Sequence, residues 1–300
     1  MKVCFSEKRN AHSRKGSSLI EVLIVFMISA ILMALLLGAV QKIRGSATRL
    51  ECQNQLRQLG LGLILQHNSH RYFPPGHRSQ RSLNSIPFTG WTYNLLPFLD
   101  QNPILQLSQI AFISETSPFE GKHPLGNVVP HFLCPGDSRV ASAKKSLRSG
   151  HRAAFTSYLG ISGIQTSEKN GVLFQDSAIR LVDVLDGASH TLLLGERPPS
   201  TDFQFGWWYA GAGQRLTGSA DLILGVREPN LLPIFSGSSC GPGSYSFKES
   251  RFSDPCGMFH YWSPHTAGAN FAFVDGSVRF LSYGNQETLE AHATIASGEW

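Results

Sequence analysis

A long apolar stretch dominates the start of the hydrophobic pattern. Residues 22–40 are nineteen consecutive residues without a charged side chain, mainly Leu, Ile, Val, Ala and Met, and Lys15 and Lys42 flank them. At about 1.5 Å per residue a helix of this length is roughly 28 Å long, enough to span the hydrocarbon core of a bilayer. The pattern favours a transmembrane helix over a buried helix of a globular domain.

Apolar positions continue at helical spacing after this stretch, with basic residues between them. They are Ile43, Ala47, Leu50, Leu56, Leu59 and Leu63. Recurrence at three or four residues is typical of an amphipathic helix, so one helix is predicted over residues 18–67, its second half forming the spine of a globular head. Gly60 and Gly62 are expected to weaken its end, and "YFPPG" at residues 72–76 to terminate it.

Shorter elements are predicted beyond residue 76. "FTGWTYNLLPFLDQNP", residues 88–103, predicts a short helix that ends before Pro103. The strongest strand candidates are "FTSYLGISG", "TLLLGE", "FQFGWWYAG" and "NFAFVDGSVRFLS". In the last of them Asp275-Gly276 predicts a two-residue type I′ hairpin turn. The expected fold class is α+β, with a long N-terminal transmembrane helix packed against an antiparallel β-rich globular head.

Composition and the distribution of charge argue against nucleic acid as a binding partner. The chain has 300 residues, 42% of them hydrophobic, and a net charge of +5, of which the first sixteen residues contribute +4. The basic character is therefore local to the N-terminus. A nucleic-acid-binding surface of clustered Lys and Arg is not expected.

Glu21 stands at the edge of the apolar stretch. A carboxylate at the bilayer centre costs about 2.5 to 3.5 kcal/mol, whereas the first turn of a helix favours an anion. If the chain were cut after Gly16, Glu21 would be the fifth residue, one turn from a free amino group of the same or a neighbouring chain. An ordinary signal peptide fits less well, because its apolar region usually has only about 7 to 15 residues.

"KGSSLIEVLIVFMISAI" resembles the type IV prepilin leader and N-terminal helix. The resemblance implies that prepilin peptidase cuts after Gly16, that Ser17 becomes the N-methylated first residue, and that Glu21 is the assembly glutamate. Ser17 stands where the family usually has Phe or Met.

A second resemblance lies in the head. "HTAGANFAFVDG" places His265 nine residues before Asp275-Gly276, which resembles the prepilin-associated H-x9-D-G motif of the domain-of-unknown-function family 1559. "FLCPGD", "TSYLGISG" and "IRLVDVLDGASHTLLLGER" are similar to its other landmarks, in the same order. The resemblance implies a pilin-like or pseudopilin-like surface protein.

The catalytic and metal-binding motifs that can be found in the head are explained more simply as loops and turns. "GSSCG" matches G-x-S-x-G around Ser239, but Pro-Gly follows it where a nucleophile elbow needs a helix, so a loop is favoured. No Cys/His set has zinc spacing. Asp183, Asp186 and Asp275 are Ca²⁺ candidates, against the favoured reading that the two Asp-Gly pairs among them are turns. No other cofactor is expected.

The aromatic run "FQFGWWYAG" would, as a strand, present a stripe on one face. The stripe consists of Phe203, Phe205, Trp207 and Tyr209. Such a surface could stack sugars or contact a neighbouring subunit. Packing in the core is favoured, because large aromatic patches are costly to expose.

Five cysteines remain to be assigned. Cys4 lies in the leader, and the other four allow three pairings. Cys240 and Cys256 are close in sequence in a loop-rich region, which favours a bridge worth about 3 kcal/mol in the chain-entropy model. Cys52, on the predicted helix, is left as a candidate free thiol.

The predicted organisation is a leader over residues 1–16, a transmembrane helix over 17–41, a helical spine over 42–70 and an extracytoplasmic head over 71–300. The basic residues before the helix predict a single-pass inner-membrane protein with its head in the periplasm or at the cell surface.

The predicted function is non-catalytic assembly or surface presentation in a type IV pilus or type II secretion-like system. The expected partners are prepilin peptidase, other pilin-like subunits, the inner-membrane assembly machinery and membrane lipid. A membrane-anchored binding module for glycans that never polymerises, and an extracytoplasmic enzyme, are the alternatives.

Overall fold

A computed structural model describes residues 18–80, 85–119, 121–146, 149–232 and 240–297. The chain divides into two compact units, the first ending at Ser46 and the second beginning at Ala47. The helices are α1 (Leu19–His70), α2 (Trp91–Leu95), α3 (Asn102–Ser114) and α4 (Gln286–Ala293). The strands are β1 (Lys144–Lys145), β2 (Arg152–Ala153), β3 (Tyr158–Ile161), β4 (Leu192–Glu196), β5 (Ile223–Leu224), β6 (Arg227–Pro229), β7 (Ser244–Ser246), β8 (Gly268–Phe273) and β9 (Val278–Ser282).

In the first unit, α1 is apolar on all sides. Its large apolar side chains are exposed, among them Leu19 and Phe26, and its most apolar eighteen-residue window has no buried residue. By length and composition α1 is able to cross a membrane. A helix that is apolar all round needs an apolar environment, so this part of the chain fits a single-pass membrane anchor.

In the second unit, α1 is a helical spine with one buried face. That face consists of Cys52, Leu56, Leu59 and Leu63. The helix continues through Gly60 and Gly62, so the expected weakening there does not end it. Glycine instead permits close packing: a Cβ at Gly62 would lie 3.2 Å from a methyl group of Leu95. The helix ends at His70 because Arg71 adopts a φ of 68° and two prolines follow.

A five-stranded sheet packs against this spine. The strand order is β5-β3-β4-β8-β9, with β5 parallel to β3 and the other pairs antiparallel. Along β8, Ala272 belongs to the same hydrophobic cluster as the spine, whereas Phe271 and Phe273 belong to a second cluster. Both faces are covered, which explains why the central strands read as continuous apolar runs. The predicted α+β class is confirmed.

The hairpin of β8 and β9 is present, but its predicted turn type is wrong. The N–H of Phe273 donates to the carbonyl of Ser277 at 2.9 Å, which leaves residues 274–276 as a three-residue loop. Gly276 has a φ of 81°, whereas Asp275 is not among the residues with positive φ. A type I′ turn needs positive φ at both positions, so the predicted type is excluded; a three-residue loop that ends in a left-handed glycine is the next most common hairpin connection.

The short helix expected before Pro103 is present as α2 (Trp91–Leu95). Pro103 itself lies in the first turn of α3, where its missing N–H is not needed. One other expectation is corrected. "FQFGWWYAG" is not a strand: only an isolated bridge joins Phe155 to Trp207, and Gly206 has a φ of 100°. Trp207 and Trp208 are both buried, so the run has no alternating face. The aromatic side chains belong to the core, as the favoured alternative predicted.

Candidate functional site: the N-terminal segment and the buried motif cluster

The carboxylate of Glu21 caps the start of α1. The N–H of Ser18 donates to Glu21 Oε2 at 3.0 Å, and the N–H of Glu21 donates to the carbonyl of Ser18 at 3.0 Å. Ser18 is the N-cap and Glu21 the third helical residue, which is half of a capping box. The predicted processing residues Gly16 and Ser17 lie outside the described residues.

The residues of the head motif lie at opposite ends of β8. His265 precedes the strand by three residues, and Asp275-Gly276 forms the hairpin loop after it. The Oδ1 of Asp275 accepts the N–H of Ser277 at 2.8 Å, and its own N–H donates to the carbonyl of Ala188 at 3.0 Å. The two parts of the motif therefore hold different ends of one central strand.

Gly276 is needed for two reasons. Its φ of 81° is in the region that disfavours residues with a Cβ. A Cβ at this position would also lie 3.1 Å from Ile64 Cδ1 and 3.4 Å from Leu61 Cδ2, both on the spine. The hairpin loop thus packs directly on α1.

His265 belongs to a buried cluster with a carboxylate and a disulfide. Its Nε2 lies 3.6 Å from Glu196 Oε1 and 3.6 Å from Cys134 Sγ. Cys134 is bonded to Cys52 of the spine. All four side chains are buried, and one ligand-type atom from each lies within 4.8 Å of the others. The expectation that Cys52 is a free thiol is therefore wrong.

Hydrogen bonds hold the members of the cluster in place. The backbone N–H of Asn270 donates to Glu196 Oε2 at 2.7 Å, and its side-chain Nδ2 donates to Oε1 at 3.0 Å. The Tyr158 hydroxyl donates to the carbonyl of Cys52 at 3.2 Å. Burial, with a contribution from the charge of Glu196, raises the pKa of Tyr158 well above its ordinary value. Tyr158 is therefore a neutral hydrogen-bond donor. The hydrogen bonds from Asn270 offset the cost of burying the carboxylate of Glu196.

This arrangement does not form a catalytic relay. In a nucleophile–histidine–acid relay the histidine uses one ring nitrogen for the nucleophile and the other for the acid. Here the same nitrogen of His265 faces both Cys134 and Glu196. The cluster instead joins the spine, the "FLCPGD" loop, β4 and the start of β8.

The second disulfide joins Cys240 to Cys256. Both residues pack with the hydrophobic cluster that contains Phe271 and Phe273, and Cys240 is buried whereas Cys256 is partly buried. The two disulfides are therefore in different surroundings.

The three calcium candidates have separate partners. Asp183 forms an ion pair with Arg180, 2.7 Å between Oδ1 and Nη2, and hydrogen bonds from Arg180 lower the pKa of this partly exposed carboxyl to about 2. Asp186 Oδ2 accepts the N–H of Ser297 at 2.6 Å. Asp275 closes its own loop, as described above. The two Asp-Gly pairs lie in turns, because the N–H of Gly187 donates to the carbonyl of Val184 and that of Gly276 to Phe273. Asp183 is the last residue of a short 3₁₀ helix, Leu181–Asp183.

Sequence reasoning identified His265 and missed its partners. Glu196 was visible only as the acid at the end of "TLLLGE", and Cys134 as the cysteine of "FLCPGD". Neither has a metal or catalytic spacing to His265, because the residues come from elements far apart in the chain.

Comparison with protein-family models gives two matches. The family described as "Protein of unknown function (DUF1559)" matches residues 41–288, and the prokaryotic N-terminal methylation motif matches residues 11–37. Both resemblances recognised in the sequence are thereby confirmed. No curated protein and no solved structure matches the chain.

Proposed function

We propose that this chain, which belongs to the DUF1559 family, is a membrane-anchored pilin-like subunit whose leader is removed by prepilin peptidase. The observation that carries the proposal is the N-terminal methylation motif at residues 11–37, which leads into a helix whose apolar side chains are unburied. We assign the cut to the bond between Gly16 and Ser17 and methylation to the new amino group of Ser17.

Glu21 then has a role in assembly. Its Oε2 already accepts the N–H of Ser18 at the start of α1. We assign the negative charge of this carboxylate to an ion pair with the amino group of Ser17 on a neighbouring chain. In a low-dielectric surrounding an unpaired charge is costly, so this pairing would favour one axial register of packed helices. The function is assembly or surface presentation in a type IV pilus or a type II secretion-like system.

The head is assigned to the periplasm or the cell surface. Five basic residues precede the helix on the short side, namely Lys2, Lys8, Arg9, Arg14 and Lys15. Such residues are retained in the cytoplasm by the positive-inside rule. The head also carries two disulfides, which persist in oxidising compartments. The partners would be prepilin peptidase, other pilin-like subunits and the inner-membrane assembly machinery.

Two other functions have less support. A glycan-binding module needs exposed aromatic rings, but Phe205, Trp207 and Trp208 are buried. An enzyme needs reacting groups in an accessible cleft, and the cluster around His265 is buried. We therefore propose a non-catalytic subunit.

Mass spectrometry of the mature chain, purified from the membranes of its native cells, tests the proposal. We expect a chain that begins at Ser17 and carries one methyl group on its amino nitrogen. A Gly16→Val variant, in which a branched side chain blocks the bond to be cut, should keep the full leader and the unmethylated N-terminus. A wild-type chain with its leader intact, or cut beyond residue 40, would contradict the proposal.

A further inference from the structure

The buried cluster is not used by the proposed function, and it has the composition of a metal site. Its ligand-type atoms come from four separate segments of the second unit. They are Cys52 Sγ on α1, Cys134 Sγ in the "FLCPGD" loop, Glu196 Oε1 at the end of β4 and His265 Nε2 before β8. Thiolate, imidazole and carboxylate are the groups that bind zinc in proteins.

Two of the distances between these atoms match those of a tetrahedral zinc site, and all four atoms lie within 4.8 Å of one another. Zn–S bonds of about 2.3 Å and Zn–N and Zn–O bonds of about 2.1 Å place sulfur and nitrogen about 3.6 Å apart, and nitrogen and oxygen about 3.4 Å apart. The corresponding distances are 3.6 Å from Cys134 Sγ to His265 Nε2 and 3.6 Å from His265 Nε2 to Glu196 Oε1. One nitrogen directed at both neighbours is what a shared central ion requires.

The disulfide is the one feature that conflicts with a metal, because a bonded sulfur pair is a poor ligand. In a tetrahedral site the two sulfurs would lie about 3.8 Å apart. Reduction removes the bond between them and supplies two thiols at the same place. The carboxylate needs no rearrangement, since Asn270 already holds both oxygens of Glu196.

We propose that the dithiol form of this chain binds one Zn²⁺ through Cys52, Cys134, Glu196 and His265. A dithiol reductant supplies two electrons and two protons, so the Cys52–Cys134 bond breaks, two thiols form and the reductant becomes a disulfide. Zn²⁺ then replaces the two thiol protons, which pass to solvent. The disulfide and the ion are alternative cross-links between the same spine and the same loop.

This proposal is independent of the assembly function. It concerns the second unit, whereas cleavage and methylation concern the N-terminus. A chain that fails to bind zinc could still be processed after Gly16, and an unprocessed chain could still bind zinc.

Cobalt binding to the full-length chain in detergent micelles tests the proposal. Co²⁺ replaces Zn²⁺ in such sites, and its absorption reports both thiolate ligation and tetrahedral geometry. After reduction by a phosphine, we expect one equivalent of Co²⁺ to give sulfur-to-cobalt charge-transfer and tetrahedral ligand-field bands, which Zn²⁺ abolishes. The oxidised chain should give neither.

The second disulfide provides a matched control. The pair C240S and C256S should keep the bands after reduction, and the pair C52S and C134S should lose them. His265→Asn, which leaves both cysteines in place and is purified in the disulfide form before reduction, should weaken Co²⁺ binding at least tenfold. The proposal is overturned if the reduced wild-type chain, still folded by circular dichroism, gives no thiolate band. It is equally overturned if the band survives in the C52S and C134S pair.

Discussion

Cys52 on the helical spine is bonded to Cys134 in the "FLCPGD" loop, across 82 residues of sequence. The bond ties the helical spine to a loop that also contacts the start of β3, because the N–H of Cys134 donates to Ser157 Oγ at 3.1 Å. In the chain-entropy model a closed loop of this length stabilises the folded state by about 4.5 kcal/mol, and the 16-residue separation of Cys240 and Cys256 by about 3 kcal/mol.

Replacing Cys52 and Cys134 together by serine should therefore lower the free energy of unfolding of the head by about 4 to 5 kcal/mol. Urea unfolding in detergent, followed by tryptophan fluorescence with a chelator present, measures this loss. The Cys240 and Cys256 double serine variant is the matched control, with an expected loss of about 3 kcal/mol. A smaller loss for the first pair than for the second would show that the longer loop is not the dominant constraint.

Local pattern predicted the elements that depend on local sequence. The apolar stretch and the amphipathic repeat gave α1, and the turn residues Asp275 and Gly276 located the hairpin of β8 and β9. The turn type was wrong because the pairing of Phe273 with Ser277, which sets the loop length, is not visible in the two turn residues. Hairpins with two and three loop residues share the same Asp-Gly signal.

The remaining errors have a tertiary origin. "FQFGWWYAG" has strand composition, but Trp207 and Trp208 are both enclosed by the core and Gly206 has a φ of 100°, so tertiary packing rather than local preference sets its conformation. The meeting of Glu196, His265 and the disulfide depends on which segments the sheet brings together. Cys134 and His265 are 131 residues apart in the sequence, so no local sequence pattern indicates that they meet.

Gly276→Ala should destabilise the head more than Gly284→Ala does. Both glycines have positive φ, 81° and 94°, so each exchange carries a backbone cost of about 1 kcal/mol or more. Only at Gly276 does the new Cβ meet the spine, 3.1 Å from Ile64, whereas at Gly284 nothing lies within 4 Å. The added packing cost should be about 1 kcal/mol.

Urea midpoints of the two glycine variants test this difference. Their backbone terms are similar, so the difference between them isolates the contact with the spine. Equal losses of unfolding free energy in the two variants would mean that the added methyl group at Gly276 is accommodated against α1 without a packing cost.

Glu21→Gln should leave the chain in the membrane and cleaved after Gly16, but should reduce its incorporation into an assembly by tenfold or more. The neutral amide removes the charge that the proposed pairing with a neighbouring amino group needs, and it makes insertion easier. Cross-linking of wild-type and variant chains in native cells, compared at equal membrane abundance, measures incorporation. Glu51→Gln, the same change at an exposed position of the same helix, is the control and should assemble normally. Normal incorporation of the Glu21 variant would favour the anchored binding module that never polymerises.

Acid should destabilise the head through two buried histidines. Burial lowers the pKa of His77 to about 4 and that of His260 to about 4, from an ordinary value of 6.5. Between pH 6.5 and pH 4 the unfolded chain binds protons at these two histidines and the folded chain does not. Their contribution to the free energy of unfolding is therefore fully present above pH 6.5 and is lost as the pH falls towards 4. Each histidine should cost roughly 2 kcal/mol by pH 5.

Asp221 has the opposite effect, because burial raises its pKa to about 6 and the folded chain then holds the proton more tightly than the unfolded chain. This contribution grows as the pH falls from 7 to 5 and offsets part of the histidine loss. The contribution of Asp221 cancels when a histidine variant is compared with the wild type, since both chains contain Asp221. His77→Leu, a non-ionisable side chain of similar volume, should therefore lose roughly 2 kcal/mol less than the wild type between pH 7 and pH 5, measured by urea unfolding at both values. The same exchange at His151, whose ring is exposed, is the control. Identical pH dependence in the His77 variant and the wild type would show that this ring is protonated as easily in the folded head as in the unfolded chain.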